Sequence, residues 1–380
     1  MMRVAILTQP LGHNYGGLLQ AYALQTYLKK IGCGVETLDR PMPKGSNIIA
    51  YKAYIKNCIK LLLGRIKAIP TSKKESYIQR ELADFRDNRL EMSPTIFSEA
   101  ELREYYRSKS FDAFVVGSDQ VWRPRYSPSI LNFYFDFLDD IQSEAKRLAY
   151  AASFGVDEWE YTNEVTKRCE QLIKEFDAVS VRESTAVNLC ADKFGVQAKM
   201  VVDPTLLLEP ADYKLLISQC DENINAGCVL AYVLDVAPEK RMVAKTVGSW
   251  LDVDVFSIKP EVTISQVPHK EIHKCDYPSV EKWVQAFHDA SFIVTDSFHG
   301  TVFSIIFNKP FIAIGNSKRG TTRFDSLLSK FDLNDRLVDS VKDLTPELVN
   351  QKIDWNAVNE KRAALSEEGK SFLTTNLLGK

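Results

Sequence analysis

Residues 296–300 read Asp-Ser-Phe-His-Gly directly after the apolar run ASFIVT, which places a titratable imidazole, His299, at a strand-to-helix junction. An imidazole titrates near neutrality, and the amides that open a helix attract anions. His299 beside Ser297, Gly300 and Thr301 could therefore move a proton next to a bound phosphate or carboxylate. The same position also suits a histidine that caps the helix or is bonded in the core. Other polar groups follow apolar runs in the same way. His13, Asn14, Gly16 and Gly17 come after RVAILTQ; Ser118, Asp119, Gln120 and Trp122 after FDAFVVG; Ser153 after RLAYAA; Arg182 and Glu183 after DAVSV. Ligands of open parallel sheets collect beyond the carboxyl ends of strands, so these residues are candidates for a single cleft. Glu183 next to Arg182 also allows a purely structural ion pair. Lys318, Arg319 and Arg323 stand in a Ser/Gly/Thr-rich segment after PFIAIG, a composition that suits gripping an anion and equally suits a solvated loop.

Several chemistries lose support. The glycines at 12, 16 and 17 do not make GxGxxG, and no GxxxxGK[ST] is present, which argues against nicotinamide and P-loop sites. His269, His273 and Cys275 could be drawn as metal ligands, but Pro268 and the mixed surroundings do not set them on one helical face, so no metal is expected. Seven cysteines without CxxC spacing read as reduced core thiols. With 48 Lys and Arg against 50 Asp and Glu, the net charge of -2 provides no global attraction for nucleic acid. No signal-peptide pattern opens the chain and no apolar run approaches the roughly 20 residues of a membrane span. A cytoplasmic protein is the expectation. The basic and aromatic cluster of Tyr51, Lys52, Tyr54, Lys56, Lys60, Arg65 and Lys67 reads as a solvated helix face, with contact at the inner face of a membrane or with a lipid-linked acceptor as the second reading.

The elements that must position these groups alternate along 380 residues, a length that favours two domains. RVAILTQ, a helix from about 18 to 31 and GVETLD make a first βαβ unit. Residues 44–110 read as a helical insertion broken at Pro70 and Pro94. FDAFVVG, RLAYAASFG, DAVSVRES and KMVVDPTLLL follow as strands with intervening helices. A second set begins at GCVLAYVLD and runs through VDVFSI, ASFIVT and PFIAIG, with a helix expected at 302–308. The prediction is an α/β fold of two Rossmann-like domains facing a cleft, residues 1–208 and 209–380, with helices between Thr345 and Lys370 packing back on one of them.

Taken in order, NYGGLLQAYALQ, VGSDQVW, YAASFG, SVRES, VVDPTLLL and TDSFHGTVFSIIFNKPF resemble the polysaccharide pyruvyl transferase family over about residues 3 to 330. The resemblance implies a fold similar to the glycosyltransferase B (GT-B) class. It also implies transfer of a pyruvyl group from phosphoenolpyruvate to two hydroxyls of a sugar, as a cyclic ketal, in cell-surface or exopolysaccharide biosynthesis. It implies a sugar or lipid-linked oligosaccharide as acceptor, no required cofactor, and His299 as the catalytic acid or base. Arg182, Ser297, Gly300, Thr301, Lys318, Arg319 and Arg323 then fall on the donor side. His13, Asn14, Gly16, Gly17, Ser118, Asp119, Gln120, Trp122 and Ser153 fall on the acceptor side or in the cleft. Many members carry Arg-Leu before the histidine where this chain has Ser297-Phe298, so Arg319 or Arg323, with Lys318, is expected to supply the missing charge. A nucleotide-sugar glycosyltransferase of the same fold and a non-catalytic glycan-binding protein are the alternatives.

Overall fold

The structure, a computed structural model, describes residues 1–12, 14–42, 47–139, 144–218, 220–221, 225–235, 237–260, 262–315 and 322–379. Two parallel sheets organise them. The first contains β1 (Arg3–Leu7), β2 (Gly34–Asp39), β3 (Met92–Thr95), β4 (Ala113–Val116), β5 (Lys146–Ala152), β6 (Ala178–Val181) and β7 (Lys199–Met200), in the order β3-β2-β1-β4-β5-β6-β7. The second contains β8 (Val229–Tyr232), β9 (Val255–Phe256), β10 (Phe292–Thr295), β11 (Phe311–Ile314) and β12 (Leu337–Val338), in the order β12-β11-β10-β8-β9. Central strands such as AFVV and FIVT are wholly buried and apolar except for Thr295, as parallel strands covered by helices on both faces must be. Register is set by pairs such as Ile6 with Val115 and Val294 with Ala231.

Strand order reverses between β1 and β4 in the first sheet and between β8 and β10 in the second. A crevice opens at such a reversal because the connections leave on opposite faces. The helices at these points are Tyr15–Lys30 after β1 and Phe298–Ile306 after β10. The reading of 44–110 as helical pieces is corrected at Met92–Thr95, which is the edge strand β3. Its Pro94 is tolerated because an edge strand needs only one row of hydrogen bonds. The helix expected at 302–308 begins earlier, at Phe298, because Ser297 caps it. Only Lys199–Met200 of KMVVDPTLLL is strand; Pro204 fixes the backbone for a short 3-10 turn over 204–207.

One apolar core runs between the sheets without a break, from Val4 and Leu18 to Trp283 and Phe303. Tyr15 is its crossing point. Its ring stacks on Trp283 at 5.6 Å between centroids, and its hydroxyl donates to the Pro278 carbonyl at 2.7 Å. The helix Trp355–Leu378 packs on β5 and the 204–207 turn, with Lys146 Nζ donating to the carbonyls of Asn376 and Leu377 at 2.7 and 2.9 Å. A Cβ on Gly369 would come within 2.5 Å of the Tyr150 hydroxyl, so a glycine is needed for this close approach.

Replacing Tyr15 by alanine empties a buried aromatic site between the sheets. The expected loss is about 3–5 kcal/mol of unfolding free energy, against about 1 kcal/mol for Tyr15→Phe, read from urea unfolding.

Candidate functional site

The site is built around a carboxylate that the sequence reading did not single out. Asp203 is 2% exposed and caps the 204–207 turn, where its Oδ1 accepts from the Thr205 amide at 3.0 Å and the Thr205 hydroxyl at 2.7 Å. This fixes the other oxygen. Asp203 Oδ2 accepts from Ser118 Oγ and from Arg182 Nη1, both at 2.9 Å, and lies 3.5 Å from His299 Nε2. Burial alone would raise the Asp203 pKa, but the charge and hydrogen bonding of His299, then Arg182, then the Thr205 amide, hold it well below the usual carboxylate range. Three strand ends of the first sheet thus meet the histidine of the second.

His299 sits in the first turn of the Phe298–Ile306 helix, buried at 7% exposure. Ser297 caps that helix by accepting from the Gly300 amide at 3.3 Å, and the Thr301 hydroxyl donates back to the Ser297 carbonyl at 3.2 Å. The polar groups of Ser297, Gly300 and Thr301 that the sequence assigned to an anion are engaged in the cap, where they hold His299 in place. Asp296 accepts from the Leu234 and Asp235 amides at 2.6 and 3.1 Å and from Lys240 Nζ at 2.9 Å, which ties β8 to β10. From the first domain, Gly16 lies against the imidazole. Any Cβ there would overlap the ring, so glycine is required by the approach and not by its backbone angles.

Arg182 follows β6 and is 4% exposed. Besides Asp203 it faces Asp119 Oδ1 at 3.6 Å and Glu183 Oε2 at 3.9 Å. Its guanidinium lies 4.3 Å from the centre of the Phe298 ring, a cation–π contact. The Ser297-Phe298 departure therefore supplies an aromatic platform for Arg182. Glu183 is held in turn by Ser153 Oγ, which donates to it at 2.7 Å. Two left-handed residues, Asp119 (φ 77°) and Ala151 (φ 50°), flank the cluster. Such backbone costs on the order of 1–3 kcal/mol for a non-glycine residue, and here it accompanies a register shift that leaves Ala152 bridged to Asp119. Arg323, 9% exposed, completes the cluster. Burial lowers its pKa to about 10 and Arg182 repels it, against attraction from Glu183 and Asp119.

The structure therefore brings together His299, Arg182, Arg323, Gly16, Ser118, Asp119 and Ser153. Asn14 caps the Tyr15–Lys30 helix, accepting from the Gly16 amide at 3.1 Å, and Gly17 is buried in its first turn. Gln120 Oε1 accepts from Arg123 at 3.1 Å beside Gly155. Trp122 is corrected from the cleft to the core: it is fully buried, stacks on Tyr134 and donates to the Phe133 carbonyl. His13, Lys318 and Arg319 lie outside the described residues. Asp203 was discoverable from one signal, an Asp-Pro dipeptide that stops an apolar run and so places a carboxylate at a strand end.

Asp203 also sets an acid limb on stability. Its depressed pKa stabilises the fold above the unfolded value of about 3.9, and that contribution is lost as pH falls through the folded value. Asp203→Asn is expected to cost about 3–5 kcal/mol at pH 7, a gap to wild type that stays level down to about pH 5 and narrows below about pH 4 in denaturant titrations.

The polysaccharide pyruvyl transferase family model matches residues 14–318. No curated protein sequence matches this chain. Among solved structures, S. aureus MnaA in complex with UDP is similar at TM-score 0.56 and 10% identity, over 100% of this chain and 98% of that one. Arabidopsis thaliana UGT89C1 in complex with UDP-L-rhamnose is similar at TM-score 0.51 and 12% identity, over 98% and 97%. These likenesses show the shared GT-B arrangement, two Rossmann-like domains facing a cleft. The family match encloses Asp203, Arg182 and His299, and the chain belongs to the polysaccharide pyruvyl transferase family.

Proposed function

We propose that the protein transfers the pyruvyl group of phosphoenolpyruvate to two hydroxyls of a sugar, forming a cyclic ketal and releasing phosphate. The observation that carries this reading is the contact between His299 and Asp203 at the meeting point of the two strand-order reversals, in a chain of this family. Addition of a proton to the methylene carbon of the enol makes C2 electrophilic. One sugar hydroxyl adds there and loses its proton, the C2–O bond to phosphate breaks, and the second hydroxyl closes the ring as its proton leaves. One of the two released protons replaces that taken up by the methylene carbon and the other leaves with phosphate, so the sum balances. His299 is the group suited to pass these protons, with Asp203 beside it fixing the ring.

Arg182 is a positioning residue in this scheme, because Asp203, Asp119 and Glu183 already surround it. Arg323, buried in the same cluster as Arg182, is the guanidinium suited to meet an incoming phosphate or carboxylate in two parallel hydrogen bonds. Arg323 thus takes the donor-binding part that the Ser297 position does not fill. The acceptor is a sugar, free or lipid-linked.

In a phosphate-release assay with phosphoenolpyruvate and a galactoside acceptor, His299→Ala is expected to lower kcat by about 10²–10⁴-fold. Full turnover by that variant would remove His299 from the chemistry. Gly16→Ala, which displaces the imidazole, is expected to lower kcat on the order of 10²-fold while the fold survives, as read by circular dichroism. Arg323→Ala should instead raise KM for phosphoenolpyruvate about tenfold or more, with a smaller change in kcat. A thermal-shift panel separates the rival chemistry: stabilisation by UDP-sugars with none by phosphoenolpyruvate would favour a glycosyltransferase.

A further inference from the structure

The helix Asn47–Leu62 carries an apolar face that the fold leaves in solvent. Tyr51, Ile55 and Ile59 form one row at intervals of four, flanked by Tyr54 and Leu62, and all five are exposed, Leu62 at 88% and Tyr51 at 66%. Lys52, Lys56 and Lys60 form the adjoining row at the same interval, followed by Arg65 and Lys67. Between residues 44 and 74 the chain holds eight Lys and Arg and no Asp or Glu, although its net charge is -2. Leaving so many large apolar side chains in water is unfavourable for a monomer unless something covers them.

We infer that this helix docks on an anionic phospholipid membrane surface, lying in the interface with Tyr51, Ile55, Ile59 and Leu62 among the acyl chains and its lysine row against the headgroups. A bilayer of negative headgroups satisfies both rows at once, because apolar burial and counter-charge lie side by side at one depth. A second copy of the chain does not. A symmetric contact would set two lysine rows near each other with no acidic residue in the segment to offset them. The chain that follows the helix is anchored on the second domain. The Lys67 amide donates to the Ser265 carbonyl at 2.7 Å, and Ala68 and Ile78 pack with Ile264, Val267 and Cys275 of the second domain. The Tyr277 amide, next to the Pro278 carbonyl that holds Tyr15, donates to Ile78 at 2.8 Å. A surface seated on this helix would therefore be tied, through residues 67–78, to the domain that carries His299.

The full chain is mixed with sedimenting vesicles of phosphatidylcholine, with and without 30% phosphatidylglycerol, at low and high salt; the vesicle composition is a choice of about one anionic lipid in three. Expected is binding to the anionic vesicles that weakens with salt and is far weaker on phosphatidylcholine alone. The triple variant Lys52→Gln, Lys56→Gln, Lys60→Gln should lose on the order of a hundredfold in partitioning, about fivefold per lysine. Ile59→Asp, at an exposed position, should abolish binding with an unchanged melting temperature. Absence of wild-type binding, or binding that Ile59→Asp leaves intact, would overturn the inference. So would concentration-dependent dimerisation abolished by Ile59→Asp without vesicle binding. The readout involves no turnover, so failure of the pyruvyl transfer reading leaves it unaffected.

Discussion

A single buried carboxylate holds the centre of this molecule. Asp203 gives one oxygen to a turn of its own chain and the other to Ser118, Arg182 and His299, which arrive from β4, β6 and the helix after β10. Removing so many polar groups from water is tolerable only because each finds an opposite charge or a donor. The left-handed backbone at Asp119 and Ala151, the cap at Ser297 and the aromatic face of Phe298 all serve to bring those groups within reach of the same oxygen. Each of the surrounding residues is buried, so the arrangement tolerates small displacements poorly.

The two domains are joined by contacts that also shape the site. Tyr15 is locked between Trp283 and Pro278, and the next residue, Gly16, meets His299. The packing that joins the sheets therefore also sets where the imidazole stands. Apolar stacking provides the rigidity here, and the polar network takes its geometry from it.

Much of this was legible in the chain. The alternation of apolar strands and amphipathic helices gave both sheets, and strand-end reasoning found His299, Arg182, Ser118 and Asp119, because a parallel sheet sends its loops to one edge. It also swept in Trp122, since position along the chain cannot tell a side chain turned toward the cleft from one turned into the core. Edge strand β3 was missed because Pro94 reads as a breaker, whereas its unpaired side makes the proline harmless. Asp203 escaped for a different reason. Its importance comes from three partners distant in sequence, and no local pattern encodes their convergence.

The C-terminal helix carries an implication for synthesis. Residues Trp355–Leu378 close over β5 and the 204–207 turn, so the first domain is covered by a helix made well after the turn itself. At roughly 5–20 residues per second, the turn that carries Asp203 waits on the order of ten to thirty seconds on the ribosome for that cover. During this interval Tyr150 and Leu207, which finally pack around Gly369, face solvent or a chaperone. The first domain is thus an early folding unit in sequence but a late one in time.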